Sequence, residues 1–236
     1  MAKKTQLRLT RAGTIINVTS TKQESDIYQA LLDVIVNIHR KYEVKLHHDP
    51  QWHLKYIVEN LRQNYPDDDF SYYFDTSSIR PDGGILSLMD LEGKKYPILI
   101  SEVKNQGTND LRIQEGLKIQ AKGNAIERLG KNVIGLRTAL VHETIFPFVC
   151  FGYGCDFAET SSILDRVGTI AMFGRLNTTH LHNSGDGGRL NRGSFYFREL
   201  KWDVSEMQAI MFDIAERSVF YYFSRYGKET FSGLGK

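Results

Sequence analysis

The sequence predicts an α/β fold in a single domain. Segments with helical apolar spacing alternate along the chain with short strand-like runs, and no internal repeat or low-complexity linker divides them. At 41% hydrophobic and 25% charged residues, with a net charge of +2, the 236-residue chain has the apolar content of a folded domain and too little charge imbalance for a disordered one. A chain of this size buries about 70–75% of its unfolded surface, so its core needs neither disulfide nor metal. Cys150 and Cys155, the only cysteines, lie in an apolar stretch and read as free buried thiols of a reducing compartment. A short-range bridge, or half of a thiolate metal site, is the alternative. No apolar run approaches the roughly 18 residues of a membrane span. The basic start Met1–Arg8 is followed by no apolar stretch, so no signal peptide and an intracellular location are expected.

Thr21-Lys22-Gln23-Glu24 has the form of a capping box, and Ile27, Leu31, Ile35, Ile38 and Tyr42 behind it form one helical face. A second helix is predicted over Gln51–Gln63, ended by Pro66 and the run Asp67-Asp68-Asp69. Strands are expected at Phe70–Asp75, Gly84–Leu91 and Tyr96–Lys104, the last two joined as a hairpin by the turn Asp90–Lys94. Thr108–Gln120 is polar and has no clear period. From Asn124 to Glu143, Ala125, Leu129, Val133, Leu136 and Leu140 mark a long helix, which Gly130 and Gly135 weaken by about 1 kcal/mol each relative to alanine. A buried strand follows at Pro147–Gly152, a helix at Ser161–Phe173, a glycine-rich loop at Asn183–Gly193 and a strand at Ser194–Leu200. Asp203, with Glu206 three residues on, caps a last helix through Met207, Ile210, Met211, Ile214 and Phe220.

Charge is distributed unevenly. Lys118, Lys122, Arg128, Lys131 and Arg137 stand against Glu127 alone, a local +4 in a chain of +2. Such a cluster is either a solvated helix face or the electrostatic footprint of a nucleic-acid site.

A second constellation carries chemistry. Arg80-Pro81-Asp82-Gly83-Gly84 leads into one predicted strand, and Glu102-Val103-Lys104 lies twenty residues beyond Asp82 on its partner. Alternate side chains of a strand share a face, so Glu102 and Lys104 point the same way, and the hairpin brings Asp82 beside them. Two carboxylates and the Val103 carbonyl make an oxygen-only set suited to Mg²⁺, which takes one or two carboxylates and keeps several waters. Lys104 would then reach a phosphate oxygen and an attacking water, as phosphodiester hydrolysis requires. An exposed, salt-bridged hairpin is the plainer reading of these three residues taken alone.

Three blocks in order decide between these readings: Thr76-Ser77-Ser78-Ile79-Arg80-Pro81-Asp82-Gly83-Gly84-Ile85, then Glu102-Val103-Lys104-Asn105-Gln106-Gly107, then Gly123-Asn124-Ala125-Ile126-Glu127-Arg128 with Lys131-Asn132. Together they closely resemble the EcoRI family of type II restriction endonucleases. The resemblance runs from about Thr76 to Asp156, with a fainter likeness around Trp202-Asp203 and Ile210–Ile214. It does not extend convincingly to the first 70 residues or to Phe157–Lys201. It implies a central mixed five-stranded sheet flanked by helices, a catalytic hairpin at about 76–104 and a recognition helix at about 122–143.

By the same resemblance, Asp82, Glu102 and Lys104 are the catalytic set, with Asp82, Glu102 and the Val103 carbonyl holding Mg²⁺. Asn124 and Arg128 become readers of inner adenines in an AATT centre, with Ala125 between them in the same block. A carboxamide pairs bidentately with the N6 and N7 edge of adenine; a guanidinium more often reads guanine, and Glu127 would fix Arg128 for the less usual task. Gly123 lacks a Cβ and lets backbone approach the bases. Ser77, Ser78, Arg80 and Lys131 are expected phosphate contacts, or plain surface residues. The pattern breaks at the outer base pair, where Arg166, Arg175 and Lys122 are the candidates; GAATTC, CAATTG, a degenerate flank and bare AATT all stay open.

The resemblance further implies duplex DNA as substrate, a homodimer matching the palindrome, 5′-phosphate products, and a cognate DNA methyltransferase protecting a bacterial or archaeal host genome. The location expected is cytoplasmic. A DNA-binding protein of the same superfamily that has lost catalysis, or one selecting structure rather than sequence, is the rival. His47-His48 with His180 and His182 lacks the spacing of a metal site. Tyr221-Tyr222-Phe223 reads as core or dimer contact.

Overall fold

The computed structural model describes residues 17–105, 113–114, 116–118, 124–158, 161, 164, 175–183 and 191–232; for 17–22, 124–128 and 156 the description is of the backbone only. The elements are α1 (Asn17–Tyr42), β1 (Leu46–Asp49), β2 (Trp52–His53), α2 (Leu54–Asn64), β3 (Ser78–Ile79), β4 (Gly84–Met89), β5 (Lys95–Asn105), α3 (Asn124–Ala139), β6 (Phe148–Tyr153), β7 (Ser194–Arg198) and α4 (Val204–Tyr226). Five strands form one mixed sheet in the order β1-β4-β5-β6-β7. The β1–β4 and β4–β5 pairs are antiparallel, and β5–β6 and β6–β7 are parallel. The five-stranded mixed sheet flanked by helices is therefore present.

Helices cover both faces of the sheet. On one, Ile27, Leu31, Val34 and Ile38 of α1 and Met211, Ile214, Val219 and Tyr222 of α4 share a core with Leu86, Leu88, Leu99 and Val103. On the other, Leu129, Val133 and Leu136 of α3 pack with Ile85, Ile100, Phe148, Cys150, Phe195 and Phe197. Ile57 and Leu61 of α2 close the end of α3 at Ala139.

One irregularity in β5 decides what lies under α3. Leu86 pairs with Leu99, but Ser87 pairs with Pro97, so Ile98 is an extra residue on β5. Because side chains alternate, a single inserted residue flips every later side chain to the opposite face. Tyr96 and Ile98 accordingly join the α1/α4 core, whereas Ile100 joins the α3 core. Glu102 and Lys104 follow the parity of Ile100, and Glu102 meets Asn132 of α3.

Several expectations are corrected. Helix α1 begins at Asn17, so Thr21 lies within it and is not its cap. Residues 70–75 form no strand: Tyr73 and Phe74 are 92% and 70% exposed, and the segment is tied down by the Arg62 guanidinium donating to the Phe70 carbonyl. Helix α2 starts at Leu54, three residues later than expected, because Trp52 and His53 pair instead with Ser78 and Ile79. Helix α3 ends at Ala139 rather than Glu143, and residues 140–142 turn. Nearly all of the expected helix at Ser161–Phe173, and residues 184–190 of the glycine-rich loop, lie outside the described residues. The Asp203 cap is as expected: its carboxylate accepts from the Glu206 N–H at 2.8 Å, and Glu206 accepts from the Asp203 N–H at 3.1 Å. No helix among the described residues is long and apolar enough to cross a membrane.

Candidate active site

Asp82 is held by the turn that starts β4. The Gly84 N–H donates to the Pro81 carbonyl at 3.1 Å, and Gly84 has φ +75°, a conformation glycine adopts without strain. Gly83 packs so closely on β5 that a Cβ there would stand 2.1 Å from Ser101 Oγ. Its N–H donates to the Ser101 carbonyl at 2.9 Å, and its own carbonyl accepts from His48 Nε2 at 3.0 Å. The turn is thus clamped between β5 and β1, and Asp82 is presented to the far end of β5.

There Asp82, Glu102 and Lys104 converge. Asp82 Oδ2 accepts from the Val103 N–H at 3.2 Å and from Lys104 Nζ at 3.0 Å. Glu102 Oε2 accepts from the Asp82 N–H at 3.1 Å, and Glu102 Oε1 pairs with Lys104 and accepts from Asn132 Nδ2 at 3.3 Å. Lys104 Nζ also lies 3.3 Å from the Val103 carbonyl. The group opens into a cleft of about 440 Å³ walled by Gln23 and Glu24 of α1, Arg80, the end of β5, and Lys131 and Asn132 of α3.

Burial sets the electrostatics. Glu102 is 1% exposed, and desolvation raises its carboxyl above the ordinary range; Asp82 adds to this and Lys104 opposes it. Burial alone would pull the Lys104 ammonium down, but Glu102 and Asp82 outweigh it and hold the pKa above that of ordinary lysine. Lys104 is therefore a charged hydrogen-bond donor. Cys150 pairs with Glu102 in the strand register and is fully buried, and burial pushes its thiol up.

Two carboxylates, bridged on one side by Lys104 and opening on a cleft, are a donor set suited to a hard divalent cation, with the Val103 carbonyl as a further oxygen. Among the described residues, no three His, Cys, Asp or Glu side chains converge, so such an ion would complete its shell with water. The histidines have other partners: His47 bonds Asp49, and His180 the Arg175 carbonyl.

The remaining expected residues divide into two groups. Arg80 and Lys131, both exposed, line the cleft. Ser77 and Ser78 lie just before it, Ser78 Oγ being 3.3 Å from Gln51 Oε1. Asn124, Ala125, Glu127 and Arg128 belong to the first turns of α3, their side chains outside the description; Lys122 and Gly123 lie outside the described residues. Four contributors were not anticipated. Asn132 follows Arg128 by four residues, and this helical spacing was the available signal. Gln23 and Glu24 come from a helix some sixty residues away in sequence, and nothing local marks them. His48 acts through the Gly83 backbone.

Similarity to known proteins agrees with this geometry. The family model described as Restriction endonuclease EcoRI matches residues 10–229, so the likeness extends well beyond the central third, over the first helix and residues 157–201. The type II restriction enzyme RsrI of Cereibacter sphaeroides is 30% identical over 198 residues, covering 70% of this chain and 72% of that protein. The type II restriction enzyme EcoRI of Escherichia coli is likewise 30% identical over 198 residues, 69% of this chain and 72% of its own. With a buried glutamate, an adjoining aspartate and their shared lysine at one end of a mixed sheet, and a match over nearly its whole length, the chain belongs to the EcoRI family of restriction endonucleases.

Proposed function

We propose that this chain is a single-domain, site-specific nuclease that cuts duplex DNA at a palindrome centred on AATT, with GAATTC and CAATTG the leading sites. The observation that carries this reading is the convergence of Asp82, Glu102 and Lys104 in a cleft walled by α3, the helix whose first turns bear Asn124 and Arg128. The scissile phosphate would lie in the cleft. Asp82, Glu102 and the Val103 carbonyl would hold Mg²⁺, which when bound supplies positive charge to the phosphoryl group and acidifies water. Lys104, protonated, donates to the attacking water and to a phosphate oxygen. Attack by the water oxygen in line with the leaving oxygen forms a new P–O bond and breaks the P–O3′ bond; the attacking water gives up a proton to solvent and the leaving oxygen takes one up from solvent, giving a 5′-phosphate and a 3′-hydroxyl.

Reading is assigned to Asn124 and Arg128, with Ala125 between them, Glu127 as buttress to the guanidinium and Gly123 allowing close approach; Lys122 is a candidate for the outer base. Ser77, Ser78, Arg80 and Lys131 would set the phosphate register. A two-fold site calls for a homodimer, each copy cutting one strand. An enzyme of this kind works where genomic DNA is, in the cytoplasm of a bacterial or archaeal cell, beside a methyltransferase that marks the host's own sites.

The test is digestion of a sequenced plasmid with Mg²⁺, every cut end being read. Discrete cuts centred on AATT, lost in Glu102→Gln while Ca²⁺-supported binding persists, are expected. Specific binding without cutting in Mg²⁺ or Mn²⁺ would make the chain a DNA-binding protein on a nuclease fold.

A further inference from the structure

We propose that Asn132 is a positioning residue that couples sequence reading to cleavage by tying α3 to Glu102. The inference rests on the DNA-reading role given to the start of that helix. Glu102, 1% exposed, receives three donors: the Asp82 N–H, Lys104 and Asn132 Nδ2. The first two belong to the clamped turn and to β5 itself. Among the described residues, Asn132 is the donor that a helix brings.

Its place on that helix is informative. Leu129, Val133 and Leu136 hold α3 to the sheet, while Asn132, half-buried beside them, lines the cleft. Positions 124 and 128 precede it by eight and four residues, two turns and one turn along the same stripe. Asparagine is a poor residue for a helix interior, and alanine would satisfy the packing. The amide earns its position through Glu102, whose carboxylate is buried and needs donors.

The bond has room to shorten, its 3.3 Å standing at the long edge of N–H···O distances. Gly130 and Gly135 flank Asn132 and reduce the intrinsic stability of the helix around it. When base contacts at 124 and 128 seat α3 on a correct site, a shift of a few tenths of an ångström tightens the Asn132–Glu102 bond and fixes the carboxylate in the geometry that cutting needs. On an altered site the helix seats differently and the carboxylate is not fixed.

The experiment compares wild type with Asn132→Ala and Asn132→Gln, thermal melts first confirming the fold. Affinity for an AATT-centred duplex and for one with a single inner base pair changed is measured in Ca²⁺ by fluorescence anisotropy. Single-turnover cleavage of both duplexes is measured in Mg²⁺ at saturating enzyme. In Asn132→Ala both affinities are expected to stay within about twofold, while cleavage of the AATT duplex falls about tenfold or more, the loss of one hydrogen bond's worth of barrier lowering. Cleavage of the altered duplex is expected to change little, so the ratio of the two rates collapses; Asn132→Gln, which keeps a donor, restores part of it. Equal falls on both duplexes, loss of binding discrimination, or rates unchanged would each overturn the coupling while wild-type cutting at AATT stands. A wild type that does not cut there would overturn the DNA-reading role and the coupling together.

Discussion

Lys104→Met tests the electrostatics of the site without reference to DNA. Methionine keeps the unbranched stem and removes the cation that bridges Asp82 and Glu102. Removing one partner of a buried ion pair costs about 3–5 kcal/mol. The side chains of Lys104 and Asp82 retain 18% and 23% exposure, which places the loss at the lower end, about 3 kcal/mol. For a domain of this length, 1 kcal/mol moves Tm by about 2–4 °C, so metal-free variant should melt about 6–12 °C below wild type at pH 8. The pH dependence has a definite sign. Burial, with Asp82, raises the folded-state pKa of Glu102 above its ordinary 4.5, and the variant lacks the opposing pull of Lys104. Below that ordinary value the carboxyl is protonated in both folded and unfolded chains and carries no penalty. The penalty grows as pH rises above it and is complete beyond the folded-state pKa. The gap to wild type should therefore be widest above the folded-state pKa and narrow as pH is lowered through it toward 4.5. A divalent cation at a hundred times its Kd should restore about 2.7 kcal/mol of stability without restoring cleavage. Thermal unfolding followed by circular dichroism, with chelator or with Ca²⁺, reads all three effects. A gap at pH 8 below about 2 °C, or one that widens on acidification, would refute the account of a carboxylate pair held together by Lys104.

Asn124→Ala should lose about 1–3 kcal/mol of discrimination against a changed inner base pair, measured as the ratio of cleavage rates; unaltered discrimination would remove α3 as the reader. In Gly83→Ala the new Cβ meets Ser101 Oγ at 2.1 Å and the Ser101 carbonyl at 3.3 Å. The hydroxyl can turn aside but the backbone cannot, so the Asp82 turn is displaced, and cleavage should fall about tenfold or more with a stability loss of about 1–3 kcal/mol. Asp203→Ala removes one half of a capping box and should lower Tm by about 2–4 °C with cleavage unchanged, since α4 lies across the sheet from α3.

Much of this fold was legible because periodicity and capping are local. The face of α1 through Ile27, Leu31 and Ile38 and the Asp203–Glu206 capping box were both visible as spacing. The errors arose where tertiary partners override local pattern. Residues 70–75 are rich in aromatic residues and have the composition of a strand, yet among the described residues no neighbouring strand takes up Tyr73 and Phe74, which face solvent. Strand β1, Leu-His-His-Asp, carries too little apolar alternation to be seen, and exists because β4 offers it an edge. Thr21 has the side chain of a cap, but the backbone is already helical four residues earlier.

The site shows the same division at finer scale. That Glu102 and Lys104 share a face follows from alternation alone; which face does not. Had β5 run without the extra residue at Ile98, the parity that puts Tyr96 against Tyr222 would have carried Glu102 and Lys104 under α1 and α4. The inserted residue turns the pair toward α3, whose first turns carry the basic and amide-bearing block. A short motif with a variable gap therefore specifies the chemistry of the cluster but not its company. Here a bulge joins the two, and Asn132 is the hydrogen bond made at the join. Restoring regular pairing by deleting Ile98 would leave every residue of the motif in the chain and set it on the wrong side of the sheet.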